Sequence, residues 1–321
     1  MKISVPHIAN LINYGAYQGV SDSQLKRLLD EEHIDFYDPD AYIEVNKYLK
    51  VLEVIIAKTK NNYFGLHYGC FLNLKALGLI LEISLNASSM EQAIFILQNY
   101  LASSFPLVNV SVKKERDVCL LQLNCKIQDK DLKRHLLDSV IAIVYRELKL
   151  MLKNDMYPEL KLPYSELDEY NEFLGVEVEK GNAYTLVLKS EVLKTEINSR
   201  RVKEIEYLLP KFLMMLDDKT NDGLFSLQVK NMVLNMCCPE LPNFEQVAKQ
   251  FPLSNRTIQR KLAQEGTSFR KIVNSIKNEL SNYLVKGKFL KTKDISLILG
   301  YSEPSAYLHA VNNWKVNIES L

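Results

Sequence analysis

The first two thirds of the chain combine helical and strand patterns of apolar residues. Apolar residues recur every three or four positions over 131–153, which predicts a long helix. Over 108–113 valines alternate with polar residues, and apolar residues are dense again at 118–123 and 184–188, which predicts three strands. This mixture favours an α+β arrangement for the N-terminal domain.

Further helices are expected where capping or turn residues precede an apolar stretch. Apolar spacing predicts a helix over 8–14. The Asp-Pro-Asp sequence at 38–40 predicts the start of a helix that includes Tyr42. Ser-Ser-Met-Glu at 88–91 has the form of a capping box, in which Ser88 and Glu91 cap the next helix.

A polar stretch separates this region from a C-terminal part that has no strand pattern. Residues 217–223 read DDKTNDG, and short helices alone are predicted from there to the end. We therefore expect an α+β domain at 1–216, a linker at 217–223 and an all-α domain at 224–321.

The all-α domain contains two pairs of short helices, of which the first covers 243–266. Ser254 is the predicted N-cap of its second helix, in which Ile258 and Leu262 face inward. Gly266 supplies the left-handed residue that ends this helix. Two short helices joined by a tight turn form the helix-turn-helix pattern.

A similar pair recurs at 294–314. Gly300 ends its first helix, and Ser302 or Glu303 begins the second. The inward-facing residues of that second helix are predicted to be Ala306, Ala310 and Trp314.

A single long helix is predicted between the two pairs, over 269–286. Its apolar positions are Phe269, Ile272, Val273, Ile276, Leu280, Tyr283 and Leu284. Such a helix is about 27 Å long. It can hold two recognition helices about one duplex turn, ~34 Å, apart in successive major grooves.

The second helix of the first pair exposes side chains that can read base edges. Arg256 and Arg260 can each bridge O6 and N7 of guanine, and Gln259 can do the same for N6 and N7 of adenine. The alternative interpretation is an amphipathic helix whose polar face meets only water. The candidate DNA-binding residues of the two pairs are Ser254, Asn255, Arg256, Thr257, Gln259, Arg260, Lys261, Ser302, Ser305, His309, Asn312 and Asn313.

The charge distribution changes along the chain. Residues 222–321 contain 13 Lys and Arg and 8 Asp and Glu, a net charge of +5, whereas 1–221 contain 27 and 31, a net charge of −4. A basic domain beside an acidic body is typical of a protein in which one part approaches a polyanion, although ordinary surface variation gives a similar excess. The residues expected to contact phosphate are Lys249, Arg270, Lys271, Lys286, Lys288, Lys291 and Lys293.

No catalytic or metal-binding set is recognisable. The phosphate-loop, H-E-x-x-H and G-x-S-x-G motifs are absent. The neighbouring pair His67 and Cys70 lacks further ligands nearby. We expect no enzyme activity, no cofactor and no metal. No stretch has the length and apolarity of a membrane span or a signal peptide, so a cytoplasmic protein without a membrane partner is expected.

Two segments of the all-α domain resemble AraC/XylS transcription regulators. Residues 253–269, LSNRTIQRKLAQEGTSF, resemble the first recognition segment of that family, and 299–307, LGYSEPSAY, are similar to the signature that leads into its second. Upstream, SLNASSMEQAIFILQNYLASSFPLVNVSV and FLGVEVEKGNAYTLVLKSEVL resemble the sensor domain called arabinose-binding in the branch that includes ornithine-utilisation regulators.

The resemblance implies a sequence-specific, effector-responsive transcription regulator. It implies double-stranded promoter DNA, RNA polymerase, a small-molecule effector and a second copy of the chain, as a homodimer, as partners. An effector pocket is expected among the apolar residues of 77–101 and the nearby strands.

The second helix pair departs from the family pattern. His309 stands where Arg is common, and the usual closing Gly-x-Ser-Pro segment is not recognisable in 315–321. We therefore expect the first pair to read DNA more strongly than the second. The alternative function is a protein-interaction module whose helix pairs no longer read DNA.

Overall fold

The chain divides into two compact units. In the computed structural model these are Met1–Val202 with Lys249–Pro252, and Lys203–Ala248 with Leu253–Leu321. The structure describes residues 1–29, 34–36, 38, 40–153, 156–216, 223–287 and 290–319, with side chains as far as Trp314. The linker predicted at 217–223 lies outside the described residues, except for Gly223.

The first unit is the α+β domain that the sequence predicts. Its strands are β1 (Lys2–Ser4), β2 (Tyr42–Glu44), β3 (Val108–Lys114), β4 (Val118–Cys125), β5 (Glu159–Leu162), β6 (Val178–Lys180) and β7 (Thr185–Lys189). Its helices are α1 (Val5–Tyr17), α2 (Asp22–Arg27), α3 (Val45–Thr59), α4 (Phe64–Phe71), α5 (Asn73–Asn86), α6 (Met90–Ser104), α7 (Lys130–Met151) and α8 (Asp168–Leu174). One sheet has the order β3-β4-β7-β5-β6, in which β5 and β6 are parallel and the other pairs are antiparallel, and β1 pairs with β2.

The strands with an alternating pattern are confirmed. β3, β4 and β7 match the predicted segments to within two residues, and Val110 lies opposite Leu123 in the register. The sequence does not predict β1, β2, β5 or β6, because three or four residues are too few to show an alternation. The prediction of a helix that includes Tyr42 is wrong. Tyr42 belongs to β2 and pairs with Ser4 of β1, and α3 begins at Val45.

The N-cap of α6 lies one residue later than predicted. Ser89, not Ser88, is the N-cap, and its hydroxyl accepts from the Gln92 N–H at 3.4 Å. Gln92 takes the place of Glu91, since its Oε1 accepts from the Ser88 N–H at 2.8 Å. The glutamine therefore returns to the residue before the N-cap, and α6 has a serine N-cap with this related bond in place of the predicted Ser88–Glu91 box.

Two glycines allow α4 to approach α7 closely in the core of the first unit. A Cβ on Gly65 would lie 2.2 Å from the carbonyl oxygen of His135, and one on Gly69 would lie 2.5 Å from that of Ser139. The Gly65 N–H donates to His135 Nδ1 at 3.2 Å. Burial lowers the pKa of His135 to about 4, which keeps the imidazole neutral and able to accept this hydrogen bond.

Replacing Gly65 with Ala is expected to lower the free energy of unfolding by about 1–3 kcal/mol, because the added methyl group must push α4 away from α7. Gly78 in α5 is the matched control, since a Cβ there meets no atom within 4 Å. Gly78→Ala is expected to raise the free energy of unfolding by about 0.4–1 kcal/mol. Urea unfolding of both variants checks the pair, and equal effects would contradict the close contact.

The second unit is helical, as predicted. Its helices are α9 (Ser199–Leu216), which enters the unit at Lys203, α10 (Phe225–Met236), α11 (Phe244–Ala248), α12 (Asn255–Gln264), α13 (Phe269–Gly287), α14 (Thr292–Ile298) and α15 (Pro304–Glu319). An isolated bridge between Cys238 and Glu240 is the only β pairing among its described residues. The long helix expected between the two short pairs is α13.

Two predicted core positions of this unit are wrong. Tyr283 is 37% exposed on α13, whereas Ser281 is buried. Ala306 is exposed on α15, and Tyr307, only 3% exposed, faces inward in its place. A hydrogen bond of 2.7 Å between the Ser281 and Tyr307 hydroxyls explains both differences, because it turns this face of α15 toward α13. Trp314 is buried, as predicted.

Candidate nucleic-acid interface

Helix α12 has a well-defined beginning, core face and end. The Thr257 N–H donates to Ser254 Oγ at 3.2 Å, which confirms Ser254 as the N-cap. Ile258 and Leu262, each 1% exposed, anchor the helix to the unit. Gly266 follows with a φ of 71°, in the left-handed region that glycine favours. These contacts fix the orientation of the exposed side of α12.

Arg256, Gln259 and Arg260 form the reading face of α12. Their spacing of i, i+3 and i+4 places them on one side of the helix. All three are exposed, and none has a hydrogen bond or an ion pair with another residue in the part of the chain that the structure describes. Two guanidinium groups and one amide are therefore available for an external partner with paired acceptors or a donor–acceptor pair.

Besides Thr257, whose Oγ1 lies 2.9 Å from Ser254 Oγ, two other predicted residues of α12 have side-chain partners within the second unit. Asn255 Nδ2 donates to Glu245 Oε2 of α11 at 2.7 Å. Lys261 Nζ lies 5.3 Å from the ring centroid of Phe225, at the start of α10, in a cation–π contact. Asn255 and Lys261 hold α12 against α11 and α10, so their polar groups are less available to an external partner than those of the reading face.

Glu265 is a positioning residue that sequence analysis missed. Its two carboxylate oxygens accept from the N–H groups of Phe225 and Ser226, each at 2.8 Å. An anion at these N–H groups stabilises the N-terminus of α10 and ties it to the end of α12. The partners are about forty positions away along the chain, and a local pattern carries no signal for such a contact.

The part of α15 with described side chains, as far as Trp314, exposes polar residues and Leu308 but no cation. All five candidate residues of this pair are exposed: Ser302, Ser305, His309, Asn312 and Asn313. Asn313 Nδ2 lies 3.2 Å from His309 Nδ1, and Ser305 Oγ donates to Glu303 Oε2 at 3.2 Å. No Lys or Arg occurs between Ser302 and Trp314. This surface has hydrogen-bonding groups but lacks the cations that α12 carries.

The predicted phosphate contacts differ in their surroundings. The expected phosphate contact of Lys249 needs correction, because this residue belongs to the first unit. Its Nζ lies 2.7 Å from Glu169 Oε2 and 2.8 Å from Glu172 Oε2. Two carboxylates pair with this ammonium group, and their negative charges would repel a phosphate group. Lys288 lies outside the described residues. The exposed cations among the others are Arg270, Lys271, Lys286, Lys291 and Lys293.

Helix α13 is a stiff connection between the two surfaces. Its 19 residues span about 28 Å. Ile276 and Leu280 are buried along its length. Near its middle, Lys277 Nζ lies 4.4 Å from the ring centroid of Tyr301, which follows α14, and burial lowers the pKa of Lys277. Contacts along the whole helix therefore resist bending.

The described residues form neither a metal site nor a single membrane-spanning helix. In the described part of the chain, no group of three or more His, Cys, Asp and Glu side chains is arranged to hold a metal ion. His67 instead has protein partners at both ring nitrogens. Its Nε2 lies 2.8 Å from Glu169 Oε1, and its Nδ1 lies 3.1 Å from Asn61 Nδ2. No single helix among the described residues has the length and apolarity to cross a membrane, whereas α4 and α5 together pass that test but are bent by 57°.

Known proteins resemble both parts of the chain. The family model of the arabinose-binding domain of AraC transcription regulators, N-terminal, matches residues 28–197. An uncharacterised HTH-type transcriptional regulator of Mycobacterium tuberculosis is 23% identical over 295 residues, which cover 88% of this chain and 85% of that protein. The ornithine utilization regulator of Pseudomonas aeruginosa is 25% identical over 162 residues, 49% of this chain and 47% of that protein. The crystal structure of the transcriptional regulator CdpR from Pseudomonas aeruginosa aligns with a TM-score of 0.42 and 19% identity over 95% of this chain and 93% of that one.

These matches agree with the sequence analysis. The matched segment, 28–197, is more than half of the chain and contains both upstream stretches that resemble the sensor domain. The relatives are named as transcriptional regulators and not as enzymes, in agreement with the expectation of no enzyme activity. The chain therefore belongs to the AraC family of transcription regulators.

Proposed function

We propose that the chain is a sequence-specific DNA-binding regulator whose principal base reader is α12. The reading face carries this proposal, because Arg256, Gln259 and Arg260 project from a capped, anchored helix and have no partner in the described chain. Arg and Gln make the bidentate contacts that distinguish guanine and adenine in the major groove. The N-terminal half of a recognition helix is the part that reaches base edges.

Helix α15 is the proposed second reader, one turn of the duplex away. The length of α13, about 28 Å, is close to the ~34 Å that separates successive major grooves. Ser305, His309 and Asn312 can form hydrogen bonds with base edges or phosphates from the exposed side of α15. The absence of Lys and Arg from Ser302 to Trp314 supports a weaker role for this helix.

Membership of the AraC family supports the remaining parts of the proposal. We assign effector sensing to 1–216, a linker to 217–223 and DNA binding to 224–321. RNA polymerase is the partner that a promoter-bound regulator would contact, and a second copy of the chain would pair two such readers in the cytoplasm.

Binding to genomic DNA tests this function directly. Sequencing the genomic fragments that the full chain retains would supply a specific site, and titration at several salt concentrations would follow. We expect at least 10³-fold tighter binding to that site than to unrelated DNA. We also expect log K to fall linearly with log salt, because phosphate contacts release counterions. Equal affinity for all sequences, or no binding, would favour the protein-interaction alternative.

Replacing Arg260 with Ala is expected to weaken binding to the specific site by about 1–3 kcal/mol and to relax the preference at one base pair. The physical reason is the loss of a bidentate contact from the reading face. Arg270→Ala is the matched control, since Arg270 is also exposed but lies at the start of α13 and is expected to contact phosphate. That variant should weaken binding to all sequences alike. Unchanged base preference in Arg260→Ala would remove this residue from the reading face.

A further inference from the structure

A cavity of about 100 Å³ lies inside the first unit. Leu79 of α5 and Leu97 and Leu101 of α6 contribute to its apolar wall, in the range where the sequence predicts an effector pocket. The rest of the wall comes from α1, α3, α4 and α7 and from the helix-end residues Leu72 and Phe105, and no strand residue lines it. The strands near 77–101 therefore do not contribute to this cavity.

The carboxyl group of Glu147 is buried in this wall without a partner. Glu147 lies on α7, lines the cavity and is 0% exposed. Neither of its oxygens has a hydrogen bond within the described chain. Burial raises the pKa of this carboxyl group to about 8. A buried acid without a partner costs stability, so its presence beside a cavity points to a ligand that satisfies it.

The other polar and aromatic groups around the cavity favour a cationic ligand. Tyr48, Tyr68 and Phe105 present aromatic rings to the cavity, and aromatic rings attract cations. Burial lowers the pKa of His7, another lining residue, to about 4, so His7 is neutral and supplies no competing charge. Lys75 also lines the cavity, but it is exposed and forms no ion pair with Glu147 among the described residues.

We propose that this cavity binds a small alkylammonium ion, with the Glu147 carboxylate as its counter-charge and the aromatic rings around its alkyl and ammonium groups. An ammonium group donates to both carboxylate oxygens, which otherwise have no donor. A cation favours loss of the Glu147 proton and balances the resulting charge, whereas a neutral alcohol cannot balance it and a carboxylate would repel it. The ion pair forms away from water, where charges attract strongly.

The volume of the cavity sets the size of the part of the ligand that it encloses. An apolar cavity of about 150 Å³ accommodates benzene, so about 100 Å³ leaves room for ~four or five non-hydrogen atoms. A short primary amine such as butylamine has this size. The site therefore selects for a compact body with a single positive charge.

The regulatory meaning of the site rests on the proposed function, in which the first unit senses an effector. Binding of the amine to the cavity does not depend on that proposed function. Affinity for amine is measured on the full chain without DNA, and affinity for DNA is measured without amine. A failure of either measurement is thus distinguishable from a failure of the other.

Calorimetric titration of the full chain with butylammonium chloride and with 1-butanol tests the site. We expect butylammonium to bind at least tenfold more tightly than butanol, which has the same shape without the charge. Glu147→Gln keeps the shape of the side chain and should weaken butylammonium binding at least tenfold while leaving butanol binding unchanged. Ala76→Leu, which fills the cavity from α5, should abolish binding of both compounds.

Glu82→Gln is the matched control. Glu82 is exposed on α5 and does not line the cavity, although its charge, like that of Glu147, contributes to the raised pKa of Tyr100. This variant should bind butylammonium as the unaltered chain does. The proposal is overturned if no binding of butylammonium is detected up to about 10 mM, a dissociation constant that corresponds to roughly −3 kcal/mol. Equal affinity for amine and alcohol, or full amine affinity in Glu147→Gln, would overturn it as well.

Discussion

Replacing Asp138 with Ala is expected to lower the free energy of unfolding by about 3–5 kcal/mol. Asp138 lies on α7 and is 0% exposed. The Tyr184 hydroxyl donates to its Oδ1 and the Tyr170 hydroxyl to its Oδ2, each at 2.9 Å. Arg134 Nε lies 3.6 Å from Oδ2. Removal of this one acceptor takes a hydrogen-bond partner from the Tyr184 and Tyr170 hydroxyl groups and the counter-charge from Arg134 at once.

Two further variants separate this network from an ordinary loss of helix stability. Asp138→Asn keeps one carbonyl acceptor and should cost less than Asp138→Ala. Asp131→Ala changes an exposed acid in the first turn of the same helix and should cost less than about 1 kcal/mol, the usual value of an acid at a helix N-terminus. Urea unfolding at pH 7 measures all three variants. A cost for Asp138→Ala similar to that for Asp131→Ala would contradict the network.

Replacing Glu147 with Gln is expected to make the protein more stable at pH 8 by on the order of 4 kcal/mol. Burial raises the pKa of Glu147 from 4.5 to about 8. The folded protein therefore binds this proton more tightly than the unfolded chain does. As pH rises from about 4.5 to 8, the unfolded chain ionises first, and the folded state loses stability relative to it. Gln does not ionise, so the variant lacks this loss.

Unfolding in urea at pH 5, 6.5 and 8 checks the sign of this effect. The difference in stability between Glu147→Gln and the unaltered chain should be small at pH 5 and should grow toward pH 8. The comparison isolates one residue, because every other titrating group is present in both proteins. Glu82→Gln, which changes an exposed glutamate, should show no such trend. A difference that is constant across the three pH values would contradict the burial of an unpaired carboxyl group.

Local patterns were sufficient for the boundaries and orientation of α12. The Ser254 cap, the inward Ile258 and the Gly266 stop all depend on residues within one or two helical turns, and the structure has each of them. Side-chain exposure on α12 then follows from helical spacing alone. The availability of Arg256 and Arg260 was predictable for this reason.

The buried acids of α7 show where local patterns fail. An isolated amphipathic helix turns its acids toward water, but α7 is enclosed by α4, α5 and the sheet, so Asp138 and Glu147 have no aqueous side. The hydrogen-bond partners of Asp138, Tyr170 and Tyr184, lie 32 and 46 positions further along the chain. Such contacts arise only when distant segments fold together, and they are therefore invisible to periodicity.

The absence of Lys and Arg from 302–314 has a consequence for the base preferences of the DNA target site. Lys286, Lys291 and Lys293 would provide phosphate contacts near the second pair. Cationic contacts with base edges, however, would come from α12, which carries Arg256 and Arg260, whereas 302–314 would add only uncharged hydrogen-bonding groups. A target site should then be lopsided, with a few strongly preferred base pairs followed, about ten base pairs later, by a tolerant stretch.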